Sequence, residues 1–231
     1  MPTDPFSTFS HLAGALVAVI CGVALIRRAR PDAGRVIAMG VFVASAVTLL
    51  LASATFHAVP AGSAARGVTQ RLDHAAIFVL IAGTFTPLHV ILFRGVLRWG
   101  VLGFVWAAAV AGIVVKTVYF ASVPEWAGVG AYLALGWVGA LSMVLVSRRC
   151  GVRFVSPLVL GGLAYTVGAL CELTGQPTII TGVVGSHEVF HVAVLVGLGC
   201  MWMFIRRIAP GVPEMTVAGA IGGTRSVRAA A

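Results

Sequence analysis

The chain has 231 residues, of which 59% are hydrophobic and 10% charged, with a mean hydropathy of +1.02 and a formal net charge of +9. Soluble domains are about 45–50% apolar and about 25% charged, so this composition excludes a soluble domain and predicts an integral membrane protein. The positive charge would suit a nucleic-acid partner, but the basic residues are scattered in short loops between apolar runs. That pattern is typical of membrane topology signals, and we expect no nucleic-acid partner.

Seven segments are long and apolar enough to cross a membrane, which takes about 20 residues each. Short connections join them, so we predict an all-α integral membrane protein, a seven-transmembrane-helix bundle without an inserted soluble domain. The predicted spans are residues 10–26, 36–58, 75–93, 99–120, 126–147, 154–173 and 184–205. The predicted domains are a seven-helix transmembrane domain over residues 1–209 and a disordered tail over residues 210–231, rich in Gly, Ala, Thr and Arg.

The distribution of Lys and Arg predicts the orientation of the chain. Seven spans place the two termini on opposite sides of the membrane. Thirteen of the 16 Lys and Arg residues fall on the side of the C-terminus and three on the side of the N-terminus. Because cytoplasmic loops carry the excess of Lys and Arg, we predict an N-terminus outside the cell and a C-terminus in the cytoplasm.

Ionisable and polar residues gather at one end of three predicted helices. The second helix ends with Ser53 and His57, the third opens close to Asp73, and the seventh opens with His187 and His191. Because the helices alternate in direction, these three ends share one face of the membrane. The histidines of the seventh helix are four residues apart and lie one above the other on one helical face. Ionisable groups at membrane depth are costly, so this cluster predicts a functional site.

The cluster suits zinc chemistry. His57, His187 and His191 supply three imidazoles, and three imidazoles with an open fourth position form the ligand set of catalytic zinc sites. Zinc lowers the pKa of a bound water to about 7 and so supplies a nucleophile at neutral pH. Asp73 would orient and deprotonate that water, and Ser53 would hydrogen-bond the water or a substrate carbonyl. The alternative is a buried polar cluster of Asp–His pairs that locks the helix bundle.

Three further residues need an interpretation. His11 begins on the same face of the membrane and is interpreted as structural, and His89 as an interfacial or hydrogen-bonded histidine. Glu188 completes the H-E-x-x-H pattern of zinc hydrolases, in which the glutamate is the general base. Glu188 projects about 100° around the helix from His187, so Asp73 is the preferred base and Glu188 the lesser candidate.

Four motifs resemble those of the hemolysin III family, the bacterial branch of the progestin and adipoQ receptor group: SATFHAVP (53–60), RLDHAAIFVLIAGTFTP (71–87), GGLAYTVG (161–168) and GSHEVFH (185–191). The resemblance covers all seven predicted helices and leaves out only the tail. It implies a seven-helix bundle that binds zinc through His57, His187 and His191. It also implies that Ser53 and Asp73 match the family's serine and aspartate, the aspartate being associated with the water on the zinc.

The resemblance also carries functional implications. The group is similar to alkaline ceramidases, which implies a membrane hydrolase, while its bacterial members carry a hemolysin name and roles in membrane homeostasis have been proposed. This chain departs from the group in two respects. The receptors of the group place the N-terminus and the zinc site on the cytoplasmic side, opposite to the orientation predicted from the loop charges here, so the side that the site faces stays open. Receptor relatives can carry Gln at the position of Glu188, so the H-E-x-x-H pattern can be accidental.

Three functions remain as alternatives. The first is a zinc-dependent intramembrane hydrolase that acts on a lipid amide or a related membrane lipid, with Asp73 as general base. The second is a non-catalytic receptor-like, membrane-homeostasis or cytolytic protein with structural zinc, in which Asp73 would be the fourth ligand that structural sites normally have. The third is an intramembrane metalloprotease, which makes Glu188 essential. The substrate and the oligomeric state lie beyond the sequence.

Overall fold

In the computed structural model, the described residues, 2–180 and 184–211, form eight α-helices and one isolated antiparallel bridge between Ile180 and Val184. The helices are α1 (Pro5–Arg28), α2 (Ala33–Ala58), α3 (Ala64–Leu92), α4 (Gly95–Val118), α5 (Glu125–Trp137), α6 (Gly139–Cys150), α7 (Val152–Thr174) and α8 (Ser186–Ile208). Helices α5 and α6 together make one span, so this part of the chain contains seven segments long and apolar enough to cross a membrane. The predicted fold class, an all-α bundle of seven transmembrane helices, is confirmed.

Local sequence signals set the ends of the helices. Asp4 caps α1, because its carboxylate accepts a hydrogen bond from the N–H of Ser7 at 3.1 Å, and Pro5 occupies the first helical position. Helix α2 ends shortly before Pro60, since the residue before a proline avoids the helical conformation. Helix α7 ends at Gly175, which adopts a φ of +66° that a residue with a Cβ rarely takes.

Helix α3 begins earlier than the sequence predicted, at Ala64 instead of near residue 75. The prediction followed apolar content, and the first turns of this helix are polar. They are held by contacts to the end of α2, where Arg66 donates a hydrogen bond to the carbonyl of Val59 at 2.7 Å and lies 4.5 Å from the centre of the Phe56 ring. Asp73 therefore lies inside the third span and not at its start.

The fifth span is broken at Val138, where the sequence predicted one continuous helix. Glycines flank the break, and glycine lowers the stability of a helix interior. One of them, Gly139, lies close to α3, because a Cβ added there would meet the ring of Phe85 at 3.2 Å. The break thus lies where the fifth span packs closely against α3.

The spans form a bundle in which α3 is the most enclosed. Helix α1 contacts α2 and α8, α3 contacts α2, α4, α5 and α8, and α7 contacts α5, α6 and α8. Three apolar clusters fill the space between the helices. Large apolar side chains such as Leu16, Phe104 and Leu160 are exposed on the outside, where lipid tails are as apolar as leucine.

The two ends of the bundle differ in charge. Most of the arginines in the described residues lie at one end, in the last turns of α1, α6 and α8 and at the start of α4. The predicted site residues lie at the other end, where α1, α3 and α8 begin and α2 ends. By the positive-inside rule the arginine-rich end faces the cytoplasm, and this orientation stays a prediction. The predicted tail lies, from residue 212 onward, outside the described residues, and the division into two domains also stays a prediction.

We predict that replacing Gly168 by alanine separates α7 from α8. A Cβ at Gly168 would lie 2.6 Å from the Cβ of Ala193, and neither atom can move without its backbone. The free energy of unfolding should fall by about 1–3 kcal/mol, the usual effect of overpacking. The matched control is Gly162→Ala on the same helix, where a Cβ meets nothing within 4 Å. Thermal unfolding in detergent measures both variants, and equal melting temperatures would contradict this description of the interface.

We predict that the connection between α4 and α5 faces the outside of the cell. A cysteine introduced at Ser122 should react with a membrane-impermeant maleimide in spheroplasts, and a cysteine at Arg30 should react only after lysis. The background for both variants lacks the native thiols Cys21, Cys150, Cys171 and Cys200. The reverse labelling pattern would show that the loop charges do not set the orientation of this protein.

Candidate metal centre

His57 lies in the last turn of α2, where the N-terminal segment holds it. The backbone N–H of Asp4 donates to the carbonyl of His57 at 3.1 Å, and the hydroxyl of Thr3 donates to the carbonyl of Val59 at 2.9 Å. His57 is 2% exposed. The start of α1 and the end of α2 therefore fix this imidazole inside one end of the bundle.

His187 and His191 lie in the first two turns of α8, with ring centroids 4.6 Å apart. Glu188 fixes the start of this helix, because its Oε2 accepts a hydrogen bond from the backbone N–H of Gly185 at 2.7 Å. A glutamate in the third helical position commonly satisfies a free N–H in this way. The carboxylate of Glu188 is thus engaged at the end of the helix.

The Nε2 atoms of the three histidines converge. The Nε2 of His187 lies 3.3 Å from the Nε2 of His57 and 3.0 Å from the Nε2 of His191. The three ligand atoms all lie within 4.8 Å of one another. Zn–N bonds of about 2.0–2.1 Å in tetrahedral geometry separate two nitrogen ligands by about 3.3 Å, so the spacing matches ligands of a single ion. The group can hold a metal ion.

Carboxylates face the other ring nitrogen of two of these histidines. The Nδ1 of His187 lies 2.9 Å from Oε1 of Glu172. The Nδ1 of His57 lies 3.1 Å from Oδ2 of Asp4, a close contact whose angle falls short of a hydrogen bond. Burial raises the pKa of Asp4, but hydrogen bonds from Ser7 and the nearby histidines outweigh it and hold that pKa below its usual value. Asp4 is therefore a carboxylate at neutral pH.

His11 of α1 faces the third histidine. Its Nε2 lies 2.9 Å from the Nδ1 of His191, and the two rings meet edge to face with centroids 4.3 Å apart. The Nδ1 of His11 and the hydroxyl of Ser7, one turn earlier, are buried without a hydrogen-bond partner among the described residues. The sequence led us to interpret His11 as structural, but the structure places it directly against a candidate metal ligand.

The contacts of the three rings favour one placement of their protons. Each Nδ1 faces a possible acceptor, and with the proton of a neutral imidazole assigned to Nδ1, each Nε2 presents its lone pair to the common centre. The Nε2 atoms of His57 and His191 lie 3.3 and 3.0 Å from the Nε2 of His187, the spacing of nitrogens that share one metal ion. Acceptors behind the ring are also what orients histidine ligands in metal sites. The residues therefore fit a bound metal ion.

Asp73 and Ser53 lie at the cavity wall beside the histidines. In the described part of the chain, the ligand group contains the three histidines and does not include Asp73. Asp73 is 9% exposed, its Oδ2 lies 3.8 Å from the Nδ1 of His74, and its carboxyl interacts with the side chain of Ser53. Both residues line the same cavity as the histidines. The two predicted catalytic residues thus line the cavity into which the three histidines open.

His89 lies at the opposite end of the bundle and belongs to a different contact. Its Nδ1 lies 2.7 Å from the carbonyl oxygen of Leu97, and its Nε2 lies 3.1 Å from the hydroxyl of Ser142. Both ring nitrogens are engaged, so the interpretation of His89 as a hydrogen-bonded histidine is confirmed.

The histidines open into a cavity of about 680 Å³. Its walls run from Asp4, at the start of α1, to Leu88 and Met201, near the far ends of α3 and α8. Ligand sites have volumes of about 300–1,000 Å³ and are mostly apolar with a few polar groups. The charged side chains of this cavity gather at the histidine end. Its size and polarity suit a molecule with a long apolar part and a polar end.

Comparison with known proteins agrees with this architecture. The profile of the haemolysin-III related family matches residues 1–202. The chain belongs to the haemolysin-III related family. Hemolysin-3 of Bacillus cereus is 29% identical over 201 residues, which cover 86% of this chain and 88% of the relative. The Hemolysin-3 homolog of Bacillus subtilis (strain 168) is 29% identical over 213 residues, which cover 91% of this chain and 96% of the relative.

The family match and the fold fix the location of the protein. The matched residues include the three histidines, Ser53 and Asp73, and the resemblance to hemolysin III drawn from the motifs is confirmed. With seven membrane-spanning segments and bacterial relatives of this family, the chain is a multi-pass protein of the bacterial cell membrane.

The sequence alone did not indicate which residues face the Nδ1 atoms of the three histidines. These residues are Asp4, Glu172 and His11. A signal for two of them was present. Glu172 is an ionisable residue at the end of an apolar span, which by itself indicates a functional or paired group. Asp4 precedes Pro5, the pattern of a helix start, and places a carboxylate at the histidine end of the bundle. The alternation of helix directions would have assigned both residues to that end.

We predict that Glu172→Ala and His11→Ala each lower the affinity for zinc about 10–100-fold, because the ligand histidine loses the acceptor that orients it. The purified variants are equilibrated with chelators of graded strength, and the retained metal is measured by mass spectrometry. His89→Ala removes a buried histidine from the other end of the bundle and should keep the wild-type affinity. If both variants bound zinc as tightly as the wild type, neither residue would orient a ligand.

Proposed function

We propose that this protein is a zinc-dependent membrane hydrolase that cleaves a lipid amide or a related bond in a membrane lipid. The observation that supports the proposal most is the convergence of three Nε2 atoms at the polar end of a largely apolar cavity of about 680 Å³. A lipid in that cavity would reach the metal position, Asp73 and Ser53 within one continuous space.

Zinc is the proposed ion because of the donor set. Three imidazoles suit zinc, and a set of three protein ligands with an open position is typical of catalytic zinc, whereas structural zinc normally has four protein ligands. The described residues supply three ligands in one group. When bound there, zinc would polarise the substrate carbonyl and make water a nucleophile at neutral pH.

Asp73 is the proposed general base. It accepts a proton from the attacking water as the water oxygen adds to the carbonyl carbon, and it returns the proton to the leaving nitrogen as the C–N bond breaks. The products of an amide substrate are a fatty acid and an amine. Ser53, which is 1% exposed and interacts with the carboxyl of Asp73, holds this group in position.

The protease alternative has less support. It requires Glu188 as the base, but Glu188 accepts a hydrogen bond from the N–H of Gly185 and so caps α8. Asp73, by contrast, lines the cavity and does not cap a helix.

A second candidate function is a cytolytic or receptor-like role without catalysis. It is favoured by the name of the Bacillus cereus relative, Hemolysin-3. Structural zinc in such a protein would take Asp73 as the fourth ligand, and Asp73 lies outside the ligand group in the described residues. Lipid hydrolysis would itself weaken a membrane, so a lytic effect and the proposed reaction are compatible.

We predict that the purified protein contains about one zinc ion per chain and that His57→Ala, His187→Ala and His191→Ala each remove both the metal and lipid cleavage. Asp73→Asn should keep the metal and lower the cleavage rate about 10²–10⁴-fold, the usual contribution of general acid–base catalysis. Glu188→Gln should keep the metal and most of the activity. Metal analysis and mass spectrometry of the fatty acid released from a ceramide-type amide measure these effects.

The outcomes separate the three functions. Unchanged metal content in His191→Ala would reject the site. An active Asp73→Asn with an inactive Glu188→Gln would favour the protease. One firmly bound zinc without cleavage of any lipid amide or ester would favour the non-catalytic role.

A further inference from the structure

Lys116 is a buried cation on the wall of the cavity. It lies in the last turn of α4, is 6% exposed and lines the same space as the histidines. Its ammonium lies 5.2 Å from the centre of the Phe120 ring. It also packs against Gly128, where an added Cβ would be 2.7 Å from Nζ. A lysine within a membrane span is costly and normally faces the bundle interior or a polar cavity together with a partner.

The described residues give Lys116 neither a hydrogen bond nor an ion pair. Glu125, the first residue of α5, acts on it electrostatically from beyond ion-pair distance. The other carboxylates of the cavity, Asp4, Asp73 and Glu172, each lie against a histidine. The positive charge of Lys116 is therefore free to bind an anion that enters the cavity.

Lys116 lies at the histidine end of the cavity, and Asp73 lines the same space. Between their helices, His74 interacts electrostatically with Lys116, and its Nδ1 lies 3.8 Å from Oδ2 of Asp73. The hydroxyl of Tyr132 donates to the backbone carbonyl of His74 at 3.1 Å and closes the wall between them. An anionic group held by Lys116 would place the rest of its molecule in the same cavity as Asp73.

We propose that Lys116 forms a subsite for an anionic lipid headgroup. The cavity then takes a membrane lipid whose headgroup carries a phosphate or a carboxylate without a compensating cation, with its acyl chains in the apolar part. The ammonium binds such an oxyanion as a point charge. This inference names the substrate class of the proposed function, so its statement about the reaction rests on that function. The binding of the lipid, however, can be measured without catalysis.

The test measures lipid binding in the Asp73→Asn background, so that turnover does not remove the ligand. The delipidated protein in an uncharged detergent is titrated with phosphatidylglycerol or with phosphatidylcholine of the same acyl chains, and native mass spectrometry counts the bound lipid. Lys116→Met should lower the affinity for phosphatidylglycerol about tenfold and leave that for phosphatidylcholine unchanged. Lys116→Arg keeps the charge and should keep the preference for the anionic lipid.

Arg71→Met is the matched control. Arg71 lies at the same end of the bundle, 5.8 Å from the centre of the same Phe120 ring, but is exposed and outside the cavity lining. The Arg71→Met variant should bind both lipids with the affinity of the wild type. An equal loss in Arg71→Met, which would indicate surface charge, or an unchanged preference in Lys116→Met would overturn the inference. Lys116→Gln replaces Lys116→Met if gel filtration shows that the latter does not fold.

Two further results separate the possible ligands and the two proposals. If glycerol phosphate bound as tightly as phosphatidylglycerol, the ligand would be a free phosphate compound and the lipid assignment would be overturned. Lys116-dependent binding of phosphatidylglycerol without any lipid cleavage would keep this inference and reject the hydrolase. If Lys116→Met changed neither lipid cleavage nor lipid binding, the hydrolase proposal would stand and this inference would be rejected.

Discussion

The structure depends on three imidazole lone pairs that point at one position inside an apolar bundle. The Nε2 atoms of His57 and His191 lie 3.3 and 3.0 Å from the Nε2 of His187, the spacing of nitrogens that share one metal ion. The orientation is imposed from behind, where Asp4, Glu172 and His11 each face one Nδ1. The three histidines and the residues behind their rings thus form a group that can hold a metal ion at this end of the bundle.

The helices serve this arrangement by bringing distant parts of the chain to one end of the bundle. Helix α1 contributes Asp4, its own cap, and His11, so one helix supplies the residues that face two of the three candidate ligands. Close packing keeps α7 and α8 in register, as the contact between Gly168 and Ala193 shows, and that register places Glu172 behind His187. Small residues allow this approach where a side chain would separate the helices.

The cavity connects the three histidines with the other residues to which a role in the proposed reaction is given. Its apolar length suits acyl chains, and Asp73 and Lys116 stand on its wall at the polar end. Each of these two buried ionisable groups would be costly in a membrane protein that had no use for it. In the proposed function Asp73 would transfer a proton and Lys116 would bind the headgroup of one lipid molecule.

The sequence by itself determined the membrane class, the seven spans and the end of the bundle at which His57, Asp73 and His187 lie, because apolar run lengths and alternating helix direction are local or additive properties. It did not determine the early start of α3 or the break at Val138, since contacts between helices decide both. The sequence also did not show which side chains face the Nδ1 atoms of the three histidines, because the rotation of each helix about its axis depends on packing against its neighbours. Only the tertiary structure could assign Glu188 to a helix cap and bring Glu172 and His11 to the metal ligands.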